Sequence, residues 1–129
     1  MDVGCFMIFA SYGWDNCSDA QTWNEDLRLA EIAADSDFDV LWSTEHHFCD
    51  YSFIPDNLQL MTHLAAKYPH TDVGTAAVIL PWHDPLRVAE QVAVLDFLSD
   101  GRLRFDIGRG LARREFAVSY THLTLPTSD

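Results

Sequence analysis

Positive charge is scarce in this sequence. Eight Lys and Arg side chains stand against twenty Asp and Glu, a formal net charge of −12. Repulsion from phosphate or anionic lipid therefore opposes non-specific binding to nucleic acid or to a membrane surface. Long apolar runs are missing too. Runs such as residues 76–80 fall far short of the roughly 20 residues needed to cross a bilayer. Cysteine is limited to Cys5, Cys17 and Cys49, an odd number without a CxxC spacing. That argues against a disulfide framework and for free thiols in a reducing compartment. The amino terminus, Met1-Asp2-Val3-Gly4-Cys5, has an acid where a secretory leader carries positive charge, so the expected location is cytoplasmic. No linker, charge block or low-complexity segment divides residues 1–117.

What is present has the balance of one ordinary globular domain: 129 residues, 48% hydrophobic and 22% charged. Residues 3–9 form a short apolar run closed by Ser11-Tyr12-Gly13, which predicts a strand buried on both faces. Asp19 then caps a helix in which Trp23, Leu27, Ala30 and Ala34 recur at three- and four-residue spacing, opposite Glu25, Asp26, Arg28 and Glu31. A second strand over 38–42 ends at Glu45-His46-His47. A loop leads from there to Pro55-Asp56, where a second helix starts with Leu58, Met61 and Ala65 on one stripe. A third strand over 73–80 stops at Pro81. Asp84-Pro85 supplies an N-cap carboxylate followed by proline at the first helical position, and this helix runs to Leu98. Asp100-Gly101 ends it, residues 103–107 alternate as a fourth strand, and Gly108-Arg109-Gly110 closes that strand. The strands begin near residues 3, 38, 72 and 103, a repeated βα unit. Such a repeat implies a parallel α/β sheet with right-handed crossovers, either open and doubly wound or part of a (β/α)8 barrel.

In both architectures ligands gather at the carboxyl ends of the strands. The first end offers Ser11 and Tyr12, and the second Glu45, His46 and His47. The third offers Ala76 and Ala77, shading into Pro81-Trp82-His83, and the fourth Gly108, Arg109 and Gly110. An acid, a titratable base, a small-residue platform and a cation suit a flat, anionic organic cofactor better than a naked metal. Small residues let a ring approach the backbone, and Arg109 can pair bidentately with phosphate. Taken alone, Gly108-Arg109-Gly110 is equally an ordinary turn. Glu45-His46-His47-Phe48-Cys49-Asp50 holds the residue types of a zinc site, yet adjacent histidines on extended chain point to opposite faces and no second ligand pair follows. A packed loop histidine and a substrate-facing acid or base both remain open there; an imidazole with a pKa of about 6.5 suits the latter. Arg104 and Asp106 alternate with Leu103, Phe105 and Ile107. The apolar trio is therefore expected to face the helices, and the charged pair to find partners on the other side of the sheet. His63, His70 and His83 lack a partner motif and read as surface or packing histidines.

Four stretches together resemble the bacterial luciferase-like flavin monooxygenases. Residues 38–48 are similar to that family's second strand and its Glu-His-His turn, and residues 73–81 to its third strand. Residues 83–90 resemble the following helix, and residues 99–110 the fourth strand with its Gly-Arg-Gly end. The resemblance implies the N-terminal half, about four βα units, of a (β/α)8 TIM barrel, whose usual length is about 250 residues. It places Glu45 and the Ala76-Ala77 pair beside an isoalloxazine ring, with a non-proline cis peptide between the alanines. It places Arg109 on the phosphate or ribityl part of flavin mononucleotide (FMN) and makes His46 the catalytic histidine. The implied chemistry uses reduced FMN and dioxygen to oxygenate an organic substrate such as a long-chain aldehyde. A flavin reductase would supply the reduced flavin, and the full-length family implies a homo- or heterodimer. Gly108 stands where the light-emitting luciferase catalytic subunit carries a reactive cysteine, which sets this sequence with the wider monooxygenase branch. Some relatives use a deazaflavin instead of FMN.

After Arg113-Arg114-Glu115-Phe116, where a fourth helix is expected, the likeness stops. Residues 118–129 resemble translated adapter or vector sequence, a non-native or disordered tail, with a divergent native terminus as the rival reading. Residues 1–117 would then be the half-barrel domain. A reading from another class is a catalytically inactive fragment, or a small βα-repeat module that binds a partner through open sheet edges. Four strands cannot close an eight-strand barrel, and phosphate sites in such barrels are often built by the loops after strands seven and eight.

Overall fold

The structure, a computed structural model, describes residues 1–119. In chain order it contains β1 (Gly4–Met7), α1 (Asp19–Asp35), β2 (Val40–Ser43), α2 (Asn57–Lys67), β3 (Asp72–Thr75) and β4 (Val78–Ile79). A 3-10 turn (Leu80–Trp82), α3 (Pro85–Leu98), β5 (Leu103–Arg104), β6 (Ile107–Gly108) and α4 (Arg113–Ser119) follow. Strands β1, β2, β3 and β5 lie side by side in that order, all parallel, and β4 pairs in parallel with β6. This is the expected βα repeat.

The helices start where short polar side chains can take up free backbone donors. Ser18, rather than Asp19, caps α1, its Oγ accepting the Gln21 N–H at 3.2 Å. Asp19 instead adds negative charge to the first turn, where the helix dipole favours it. Asp56 accepts the Gln59 N–H at 3.0 Å, and Asp84 accepts those of Leu86 and Arg87 at 2.8 and 3.2 Å, with Pro85 at the first helical position.

The parallel register aligns Cys5, Leu41, Val73 and Leu103 in one row across the four strands. All four join the core beneath the helices, with Phe9, Ile54, Met61, Leu64 and Leu95 fully buried there. The next row is Phe6, Trp42, Gly74 and Arg104. Here the Trp42 indole lies flat over its neighbours: a Cβ on Gly74 would come within 2.4 Å of its ring, and one on Gly4 within 2.6 Å. The two glycines make room for the indole. At the end of this row Arg104 reaches Asp72 and Asp2, each at 2.8 Å, which gives that cation partners on the adjacent strand and at the amino terminus.

The third and fourth strands differ from expectation in being broken. Residues 73–80 hold two strands, β3 and β4, and the Ala76–Ala77 peptide between them is cis. Residues 103–107 break opposite it at Asp106. Thr75 fills the gap in the ladder: its Oγ1 donates to the Asp106 carbonyl at 2.9 Å and accepts the Asp106 N–H at 3.0 Å. Alternation restarts after the break, so of the expected apolar trio only Leu103 reaches the core, while Phe105 and Ile107 are exposed. His63 and His70 are exposed, as read from the sequence.

Among the described residues no helix is long and apolar enough to cross a membrane. Of the tail expected over 118–129, Val118 and Ser119 close α4; residues 120–129 lie outside the described residues.

Candidate functional site

The carboxyl ends of the strands are tied to one another. Ser11 and Tyr12, after β1, donate their N–H groups to the Asp50 carbonyl at 3.1 and 3.0 Å, and His46, after β2, donates its own to Ile54 at 3.0 Å. The segments after β1 and β2 therefore form one ordered rim.

Glu45 sits at its centre, almost wholly buried. Its Oε2 accepts the Ile79 N–H of β4 at 3.0 Å. Its Oε1 lies 3.0 Å from His47 Nε2 and 2.7 Å from His83 Nε2. A carboxylate is acceptor-only, so both rings present Nε2–H to it. Burying this charge without such partners would be strongly unfavourable. The arrangement corrects the reading of His83 as a surface or packing residue: it is a direct partner of Glu45. The turn at Leu80–Trp82 brings it there and stacks Trp82 on the His47 ring, with centroids 4.2 Å apart and planes 21° from parallel. A separation of 38 residues hid the pairing.

Ala76 and Ala77 form a small-residue shelf beside this carboxylate. Asn57, buried at the start of α2, donates its side-chain N–H to the Ala77 carbonyl at 3.2 Å. A Cβ placed on Gly108 would meet Ile79 Cδ1 at 3.2 Å and Ala77 Cβ at 3.4 Å. Ala77, Ile79 and Gly108 are thus contiguous, and any larger residue at position 108 would project onto the shelf. Beside it a cavity of about 370 Å³ is lined by Leu80, Pro81, Ile107, Gly108 and Arg109. Arg109 is exposed, and its guanidinium makes no ion pair or hydrogen bond among the described residues. Ala76, Ala77, Gly108 and Arg109 therefore adjoin, whereas Glu45 is buried and joins them through the Ile79 N–H.

His46 points away from Glu45. Its Nδ1 is 3.1 Å from Oε1 of Glu115, and its ring meets Tyr51 edge-on at 5.5 Å. The opposite facing of His46 and His47 follows from the alternation of an extended chain. Glu115 comes from α4, 69 residues onward, and is almost fully buried. In the sequence it looks like a first-turn helix acid; only its neighbours reveal a second role. Asn57, masked as an ordinary first-turn residue after Asp56, was equally invisible.

The sequence profile of the luciferase-like monooxygenases matches residues 1–122. The chain belongs to this family. Among luciferase-like relatives, the alkanal monooxygenase alpha chain of Photorhabdus laumondii is 32% identical over 95% of this chain and 34% of its own length. The structure of the monooxygenase RslO1 from Streptomyces bottropensis superposes with a TM-score of 0.85 at 30% identity, over 95% of this chain and 37% of that one. The oxygenating constituent of 3,6-diketocamphane monooxygenase from Pseudomonas putida, solved in complex with FMN, shares the fold: TM-score 0.80, 23% identity, 92% of this chain and 32% of that one. The chain spans about a third of the length of the relatives it matches. Its parallel α/β arc corresponds to part of a luciferase-like TIM barrel.

Proposed function

We propose that this chain forms the flavin-facing rim of an FMN-dependent monooxygenase, which uses reduced FMN and dioxygen to oxygenate a small organic substrate of the alkanal type. The observation that carries the reading is the contiguous group of Ala76, Ala77, Ile79 and Gly108, small enough for a planar ring and bordered by the exposed guanidinium of Arg109. When bound, reduced flavin supplies the electrons that activate dioxygen. Ala76 and Ala77 give the ring close approach to backbone, and Arg109 pairs with the phosphate or ribityl end. Glu45 holds β4 and His83 in register, and the Trp82–His47 stack shields that side from water. His46 is assigned the proton-handling role, its ring exposed enough to meet a ligand. Two partners follow from this reading. A flavin reductase would deliver the cofactor, in keeping with a fold relative described as an oxygenating constituent. A second subunit would cover α3, where Leu86, Val94, Phe97 and Leu98 are exposed.

The test is a fluorescence titration of the chain with oxidised and photoreduced FMN. Saturable binding is expected, weakened at least tenfold, or by about 1.4 kcal/mol, in Ala77→Trp and in Arg109→Ala. Absence of saturable binding, or wild-type affinity in both variants, would remove the flavin reading.

A further inference from the structure

Three groups converge on the buried Glu115 carboxylate. Its Oε1 accepts the backbone N–H of His47 at 2.9 Å and lies 3.1 Å from Nδ1 of His46. Its Oε2 takes the Ala112 N–H at 3.4 Å. That last contact is half of a capping box, the third residue of a helix reaching back to the residue before it. A capping role alone does not explain the geometry. The capping bond is the longest of the three, and a cap has no need of burial at 2% exposure. The shorter contacts run to the Glu45-His46-His47 turn.

We infer that Glu115 is the positioning residue of His46, holding its ring as the Nδ1–H tautomer so that Nε2 carries a lone pair. A carboxylate only accepts, so a neutral His46 meeting it through Nδ1 must donate from that nitrogen. Free histidine favours the Nε2–H form, so the protein reverses the intrinsic preference. The ring is fixed from three directions: Glu115 at Nδ1, Tyr51 edge-on at 5.5 Å, and the backbone N–H bound to Ile54 at 3.0 Å. Nε2 makes no hydrogen bond among the described residues. His47 and His83 carry the opposite assignment, each turning Nε2–H to Glu45. Of the three histidines, His46 alone is left with an unused basic nitrogen at Nε2. The inference rests on the flavin reading for what that nitrogen meets, and on local geometry for everything else.

The experiment is two-bond proton–nitrogen NMR of the full chain labelled with 15N-histidine. It is recorded at rising pH until the histidine patterns no longer change, which selects the neutral rings. His46→Gln identifies the resonance. Wild-type His46 is expected at the protonated position for Nδ1 and the unprotonated position for Nε2. Glu115→Leu should move both resonances toward the Nε2–H form. Glu115→Gln, whose carbonyl can still accept from Nδ1, should restore most of the wild-type pattern, which a purely structural role would not require. A wild-type His46 in the Nε2–H form overturns the inference even if the leucine variant fails to fold, as does an unchanged pattern in a folded leucine variant. FMN titration of the same samples separates the two readings. A Glu115-dependent tautomer without FMN binding removes the flavin assignment alone; FMN binding with Nε2–H at His46 removes only the role of Glu115.

Discussion

Removing the Glu45 carboxylate is the most discriminating perturbation of the rim. Glu45→Ala deletes the acceptor for the Ile79 N–H and for the Nε2–H groups of His47 and His83. An orphaned buried donor loses about 1–3 kcal/mol. The histidines retain some contact with water, their side chains being 12% and 24% exposed, so their loss is partly made good by solvent. Added to the unpaired Ile79 donor and the space left by the side chain, this gives an expected destabilisation of about 3–5 kcal/mol. Glu45→Gln should be milder. Its carbonyl can serve Ile79 while its amide faces the histidines, which switch tautomer to accept. Charge-assisted bonds become neutral ones, a loss of about 1–2 kcal/mol. Urea unfolding followed by tryptophan fluorescence measures both. With a slope of about 1–3 kcal/mol/M, the alanine variant should unfold at least about 1 M earlier than wild type, with the glutamine variant between them. His83→Ala combined with Glu45→Ala should cost less than the sum of the two, since they share a contact. Wild-type midpoints for both Glu45 variants, or full additivity, would refute the reasoning.

Two further perturbations test the frame. Gly74→Ala places a methyl group 2.4 Å from the Trp42 ring, so the indole must move; a loss of about 1–3 kcal/mol and altered Trp42 fluorescence are expected, and an unchanged melt would contradict the packing. Asp26 accepts the Phe9 N–H at 2.7 Å, yet desolvation raises its pKa above the ordinary carboxylate value, with a smaller push from Glu25 against the lowering by that bond. A raised folded pKa contributes stability at pH below the unfolded value of about 3.9, and that contribution is lost as pH rises through the folded one. Asp26→Asn keeps the acceptor without the charge, so its melting temperature should exceed wild type at pH 8 and converge with it below pH about 4; an equal difference at both pH values would exclude the charge as the cause.

The βα order and the helix starts at Asp56 and Asp84 were legible because they depend on neighbours within a few residues. The strand-end residues Glu45, Ala76, Ala77 and Arg109 were legible because a parallel sheet collects them at one end. Apolar periodicity could not show that residues 73–80 break in the middle, since both halves are equally apolar. The break became visible only where Thr75 meets Asp106.

The sequence by itself determined the strand–helix alternation, the family resemblance and the residue types on the rim, all of which are local or follow from the order of elements. The tertiary structure alone decided which acids meet which histidines. Glu45 takes His47 and His83, while Glu115 takes His46, across 2, 38 and 69 residues respectively. The physical reason is that a buried carboxylate must find donors wherever the fold supplies them. Donor position depends on how β4, the Leu80–Trp82 turn and α4 pack against the rim, which no spacing in the chain encodes.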